Sequence, residues 1–199
     1  MGKDSFIFDI KVQSTPPYEG ALLVAEPFLR ENYFNHAVIC LVDYTPGHTA
    51  MGLVLNKVTH YSLSDLLDNV TDDRDIPVFC GGPMSCDHLY CIHTLGDIVP
   101  QARHVTGDLY VGGDFSTIVD YVNSGYPIDG RIRFCMGYSG WEAGQLEGEI
   151  KRHVWAVAPI GNSGTLLSDA ENKYWHKQVR AMGSPYRGWL YHPQDPKMN

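Results

Sequence analysis

Two short stretches of the sequence hold residues able to do chemistry. The first, R-F-C-M-G-Y-S-G-W-E-A-G-Q-L-E-G-E-I-K from Arg133 to Lys151, sets Ser139 between an apolar run and a segment of helical spacing. Many hydrolases keep a nucleophilic serine on such a strand-to-helix turn, within G-x-S-x-G. Gly137 supplies the first glycine, but Trp141 stands where the second is needed and crowds a turn that requires close backbone approach. Ser139 and Glu142 have instead the S-x-x-E spacing of a capping box, which satisfies free backbone donors at a helix start. The expectation is a Ser139 that caps a helix.

The second stretch, F-C-G-G-P-M-S-C-D-H-L-Y-C-I-H-T from Phe79 to Thr94, gathers Cys80, Cys86, His88, Cys91 and His93. Zinc takes such ligands, and on a strand Cys91 and His93 point to one face. The spacing fits no C-x2-4-C finger or ribbon, and free cysteine behaves as a small buried hydrophobe, so no metal is assigned. Gly81-Gly82-Pro83 reads as a tight turn or as a place where a ligand approaches backbone, the turn being preferred. Gly112-Gly113 before a helix could cradle phosphate, but Asp114 at the N-cap uses the same donors and repels an anion. No Walker lysine or complete G-x-G-x-x-G is present.

Strands are expected at Ala21–Ala25, Ala37–Val42 and Met51–Leu55, with Pro46-Gly47 turning between the last two. Ile76–Cys80, Leu89–Thr94, Arg131–Met136 and His153–Ala158 read as further strands. Leu63, Leu66, Leu67 and Val70 fall at helical spacing behind Ser62. Phe115, Ile118, Val119 and Val122 do so behind Asp114, with Gly125 closing the helix. After Ser139, Glu142, Gln145 and Glu149 form a polar face, and Ala143, Leu146 and Ile150 an inward one. Gly144 and Gly148 each cost about 1 kcal/mol relative to Ala, which implies that something packs closely against them, a strand of the same chain or a partner, the strand being preferred. Ser168-Asp169-Ala170-Glu171 opens a last helix with Trp175, Val179 and Met182 inward, ended by Gly183. This irregular alternation predicts a mixed α/β domain, with residues 1–19 as an N-terminal extension and 192–199 as a loose tail.

Composition limits what such a domain can meet. With 199 residues, 44% hydrophobic and a formal net charge of -8, the chain is globular, and its fifteen Lys and Arg form no run. That argues against direct nucleic-acid binding. No apolar run reaches the roughly 20 residues of a membrane span, and the N-terminus has no signal-peptide pattern. Five cysteines without a CxxC pair suit reduced thiols in the cytoplasm.

The motifs G-A-L-L-V-A-E-P, H-T-A-M-G-L-V-L-N-K, C-G-G-P-M, L-Y-C-I-H-T, G-Y-S-G-W-E-A-G-Q-L-E-G-E-I and W-A-V-A-P follow one another from Gly20 to Pro159. Together they resemble the bacterial YqgE/AlgH family. The resemblance implies an α/β domain with a branched mixed β-sheet, including a small closed barrel, surrounded by helices. It implies no established activity. One branch of the family is labelled a transcriptional regulator of exopolysaccharide synthesis, without a DNA-binding motif. Asn56, Lys57, Gly81, Gly82, Pro83, His93, Tyr138, Trp141, Gln145 and Glu149 match the family pattern. Similar proteins generally carry Ala at Ser139, and Val58 stands where proline is usual.

These residues lead to a cytoplasmic, cofactor-free regulatory or accessory domain that binds a protein partner or small ligand. The candidate site is Asn56, Lys57, Gly81, Gly82, His93, Tyr138, Trp141, Gln145 and Glu149. Asn and Lys at a strand end can hold a carboxylate or phosphate, and His93 can exchange a proton near neutral pH. Two other readings are an enzyme with His93 or Glu149 as general base, and a transcriptional regulator acting directly or indirectly.

Overall fold

The computed structural model describes residues 15–168 and 171–191. Three strands come first: β1 (Ala21–Ala25), β2 (Val38–Tyr44) and β3 (Ala50–Val54). They are followed by β4 (Val58–Ser62), the one-turn helix α1 (Leu63–Leu66), β5 (Pro77–Cys80) and β6 (Met84–His93). Next come β7 (Arg103–Thr106), β8 (Leu109–Val111), α2 (Phe115–Asn123), β9 (Ile132–Trp141), α3 (Gln145–Lys151) and β10 (Trp155–Pro159). The helices α4 (Ser163–Ser168) and α5 (Glu171–Ala181) and a 3₁₀ helix at Ser184–Tyr191 close the described chain.

The strands make one curled sheet in the order β10-β1-β2-β3-β9-β6-β8-β7, with β4 and β5 branching from β9. The branch matches the expectation, but the closed barrel does not form. Closure would need a ladder joining β10 to β7, and the described residues have none, which leaves an open half-barrel.

The branch sits on β9. Its first half pairs in parallel with β5, Val78 opposite Phe134 and Cys80 opposite Met136. Its second half pairs antiparallel with β3, Ala50 opposite Trp141 and Gly52 opposite Ser139. Gly137, at φ 72°, marks the change of partner. Gly81 and Gly82 cross it so closely that a Cβ on Gly81 would lie 2.2 Å from the Gly137 carbonyl oxygen, and one on Gly82 2.3 Å from the Tyr138 backbone. The pair is therefore a crossing of two backbones rather than a tight turn or a ligand approach.

Several local expectations change for physical reasons. β9 runs five residues past Met136 to Trp141, so Ser139 lies inside a strand, buried, and caps nothing; its Oγ donates to the Gly81 carbonyl at 3.2 Å. The helix begins later, behind Gly144 at φ 79°, and Ala143 is exposed before it rather than packed inward. Among the described residues nothing lies within 4 Å of a Cβ placed on Gly144 or Gly148, so no strand of theirs packs closely there. Gly144 is explained by its left-handed turn into the helix; nothing in the structure explains Gly148. α1 stops at Leu66 because Leu67 is extended, and Val70 lies beyond it. Asp114 caps α2 as expected, accepting from the Thr117 amide at 2.9 Å. In the box proposed to open α5, Asp169 and Ala170 lie outside the described residues, as does the tail 192–199.

Alternation along β1 divides the core. Leu22 and Val24 face one cluster with Trp175 and Val179 of α5, while Ala21, Leu23 and Ala25 face another with Trp141, Leu146, Ile150 and Trp155. Trp175 fixes α5 to the sheet, its Nε1 donating to the Ala25 carbonyl at 2.9 Å. A third cluster joins α2 to the first half of β9.

Candidate functional site

Along the second half of β9, successive side chains alternate between the core and open surface. Ser139 and Trp141 are buried, while Tyr138 and Gly140 are half-exposed. Across the sheet Asp43 pairs with Met51, and Met51 with Gly140, forming a row over β2, β3 and β9. Met84 pairs with Tyr138 from the other side. The Met84 sulfur and Tyr138 ring lie over Gly140, where a Cβ would come 2.7 Å from Met84 Sδ. Tyr90 meets Tyr138 edge-on with ring centroids 5.6 Å apart.

These residues, with Thr49, Trp141, Glu142 and Gln145, line an open groove of about 480 Å³. Met84 reaches it because β6 bulges: its register against β9 slips between Met84 and Leu89. Gln145 shapes the rim, its Oε1 accepting from the Glu142 amide at 3.0 Å. Of the candidate residues, Tyr138, Trp141 and Gln145 meet here.

Glu149 lies just behind the groove and holds it together. Its Oε2 accepts from the indole N–H of Trp141 at 2.9 Å and of Trp155 at 2.7 Å, and its Oε1 accepts from Gln145 Nε2 at 2.8 Å. One carboxylate thus joins α3, β9 and β10.

The remaining candidates sit elsewhere and do not meet one another. Asn56 is buried, its Oδ1 accepting from the Val38 amide and its Nδ2 donating to the His36 carbonyl, both at 2.8 Å. Lys57 Nζ donates to the Asn35 carbonyl, and burial lowers its pKa. His93 is fully buried. Its Nδ1 accepts from the Leu95 amide at 3.1 Å, so the proton sits on Nε2, which donates to the Gly112 carbonyl at 2.9 Å. Burial depresses its pKa and favours this neutral form. Gly81 and Gly82 belong to the branch. A base at His93 or Glu149 would have to give up partners it already holds.

Cys91 shares the His93 face, its Sγ 3.7 Å from the same Gly112 carbonyl, but Cys86 is exposed at the β6 bulge. Among the described residues no group of three or more His, Cys, Asp or Glu could hold a metal ion. Burial pushes the thiols of Cys40, Cys91 and Cys135 up to about 12, so they stay protonated at neutral pH. Among the described residues no helix is long and apolar enough to cross a membrane.

Sequence reasoning missed Asp43, Thr49, Met51, Met84 and Tyr90 as groove residues. Met84 and Tyr90 do stand inside C-G-G-P-M and L-Y-C-I-H-T, and that was the available signal. The bulge that turns Met84 toward Tyr138 has no pattern of its own. It also missed Arg133, which is buried and donates to the Leu55 and Leu167 carbonyls while its guanidinium lies 4.2 Å from the centre of the Phe79 ring.

The fold defines a mixed α/β protein built on a branched, curled sheet, and comparison places it further. The AlgH-like family model matches residues 22–187. A UPF0301 protein of Parabacteroides distasonis is 41% identical over 194 residues, 97% of each chain. Another, from Bacteroides thetaiotaomicron, is 37% identical over 199 residues, 100% of each. The chain belongs to the AlgH-like family. Two solved structures share the fold. A Corynebacterium diphtheriae protein has TM-score 0.72 at 16% identity, over 91% of this chain and 95% of that one. The AlgH protein of Pseudomonas aeruginosa has TM-score 0.68 at 23% identity, over 92% of this chain and 98% of that one.

Proposed function

We propose that this chain is a cytoplasmic, cofactor-free binding domain with a regulatory or accessory role, and that its binding surface is the groove between Tyr138, Met84, Met51 and Gln145. One observation carries the reading: the signature stretch brings Tyr138 and Gln145 to one groove, with the buried Trp141 at its edge, while Gly137 serves the branch and Glu149 holds the two indoles. A protein partner suits the surface, which mixes half-buried Tyr90, Tyr138 and Met51 with exposed Met84 and an exposed polar rim. A role in transcription would then be exerted through that partner, since the charge of -8 disfavours direct DNA contact.

The test is affinity purification from the native host with wild type and with Met84→Ala combined with Tyr138→Ala. Thermal unfolding first establishes that the variant is folded. A protein held by wild type and lost by the folded variant is the expected result. An unchanged set of captured proteins would count against the groove.

A further inference from the structure

We propose that the groove receives a basic segment of a partner protein, an arginine or lysine flanked by apolar residues, lying extended across β9. This rests on the reading of the groove as a binding surface and adds the chemistry of its occupant. The charged residues lining it are Asp43 and Glu142; among the described residues no lysine or arginine does so. Neither carboxylate is in a salt bridge among the described residues. Two acids lining one groove, neither in an ion pair among the described residues, are complementary to a cation, and a net charge of -8 steers one toward them.

Between the acids lies a floor suited to the stem and head of such a side chain. The edge-on pair of Tyr90 and Tyr138 offers a ring face to a guanidinium or ammonium. Met51 and Met84 supply polarisable, adaptable thioethers for the aliphatic stem. Gly140 keeps the floor deep, because a Cβ there would meet the Met84 sulfur.

Exposure argues for a peptide over an enclosed metabolite. Asp43, Thr49, Met84, Glu142 and Gln145 are all exposed, so an occupant keeps one side in water. Small-molecule sites bury roughly 70–90% of their ligand, which this groove does not.

The experiment places the photo-cross-linker p-benzoylphenylalanine at Thr49, an exposed residue lining the groove, in the native host and sequences the captured segment by mass spectrometry. A synthetic copy of that segment is then titrated by fluorescence polarisation. The expected segment contains Arg or Lys beside apolar residues. Asp43→Asn with Glu142→Gln weakens the synthetic copy by about tenfold or more, while Asp68→Asn with Asp120→Asn, exposed carboxylates outside the groove, changes it by less than about twofold. A neutral or acidic segment, a small molecule, a cross-link to this chain itself, or insensitivity to the groove carboxylates overturns the proposal. A captured acidic or neutral protein segment would leave the groove reading standing. Absence of any cross-link, together with an unchanged pull-down for the Met84 and Tyr138 variant, would remove both.

Discussion

The two halves of β9 are built for opposite purposes. From Ile132 to Cys135 the strand is sealed between β5 and β6 with every residue buried. From Tyr138 to Trp141 it alternates, sending Ser139 and Trp141 inward and leaving Tyr138 and Gly140 at the groove. Glycines serve both halves for different reasons. Gly81, Gly82 and Gly137 let two backbones touch, and nothing there can yield. Gly140 makes room for the far end of a flexible methionine. These four glycines thus divide into three that hold the sheet and one that shapes a surface.

Alanine substitution is the sharpest way to break that contrast. Gly82→Ala puts a Cβ 2.3 Å from the Tyr138 backbone, at a φ of 153° that side chains rarely adopt. It is expected to cost at least about 3 kcal/mol in urea unfolding, or to prevent folding. Gly140→Ala meets only Met84 Sδ and the Tyr138 ring, and is expected to cost less than about 1 kcal/mol while reducing partner capture. Similar losses at both positions would show that the two halves of β9 are not distinct.

Glu149 tests the same division from the helix side. Glu149→Ala leaves the buried indoles of Trp141 and Trp155 without their acceptor, and is expected to cost about 2–3 kcal/mol. Tryptophan fluorescence should move to longer wavelength as α3 loosens. Gln145→Ala, at the exposed rim, is expected to cost well under about 1 kcal/mol and to act on partner capture instead. A catalytic Glu149 would predict the reverse, a stable variant with lost function.

Away from the groove, His36 contributes to the pH dependence of the fold. Its side chain is buried against Trp175, ring centroids 4.3 Å apart, with His176 and Lys57 nearby. Burial, then Lys57 and His176, lower its pKa from 6.5 to about 4. The unfolded chain therefore binds a proton at a higher pH than the folded one. Stability is fully present above about 6.5 and is lost as pH falls toward 4. His93, also depressed by burial, adds to the loss in the same direction. His36→Asn, which tolerates the left-handed φ of 50°, should flatten part of this limb by on the order of 2 kcal/mol. Unfolding midpoints at pH 4.5 and 7.5 measure it, and an unchanged slope would dismiss His36 as its source.

Period and capping made much of this readable beforehand. β1 falls on its expected residues, β2, β3, β5 and β10 within two residues at either end, and α2 is capped by Asp114 as its spacing implies. β4, β7 and β8 were missed, because short, exposed strands such as β4 carry no apolar alternation. α4 and the 3₁₀ helix lack a clear period. The fate of β9 was misread for a specific reason. Gly137 and Gly140 look like the punctuation of a turn, but here they relieve crowding from Gly82 and Met84, which are distant in sequence until the sheet forms. The site was legible by residue type and not by grouping. Asn56, His93 and Tyr138 are all polar residues near or within strands; hydrogen bonds to Val38 and His36 seal Asn56 between β3 and β4, while along β6 and β9 the pairing register seals His93 and turns Tyr138 to the groove.

The smallest expected effects bear on the residue that looks most chemical. Ser139→Ala removes one hydrogen bond of 3.2 Å to the Gly81 carbonyl, an oxygen that also accepts from the Val54 amide at 2.9 Å. The loss is expected to be about 0.5–1 kcal/mol, because the acceptor keeps a partner and the methyl fits a buried position. Gly148→Ala should move stability by a similar amount the other way, a gain of about 0.5–1 kcal/mol, since it lies within α3 and no atom of the described residues is within 4 Å of the added carbon. Partner capture should be unchanged in both. If Ser139→Ala abolished it without unfolding, the buried face of β9 would have a functional role, and the separation of a sealed framework from an open groove would fail at that residue.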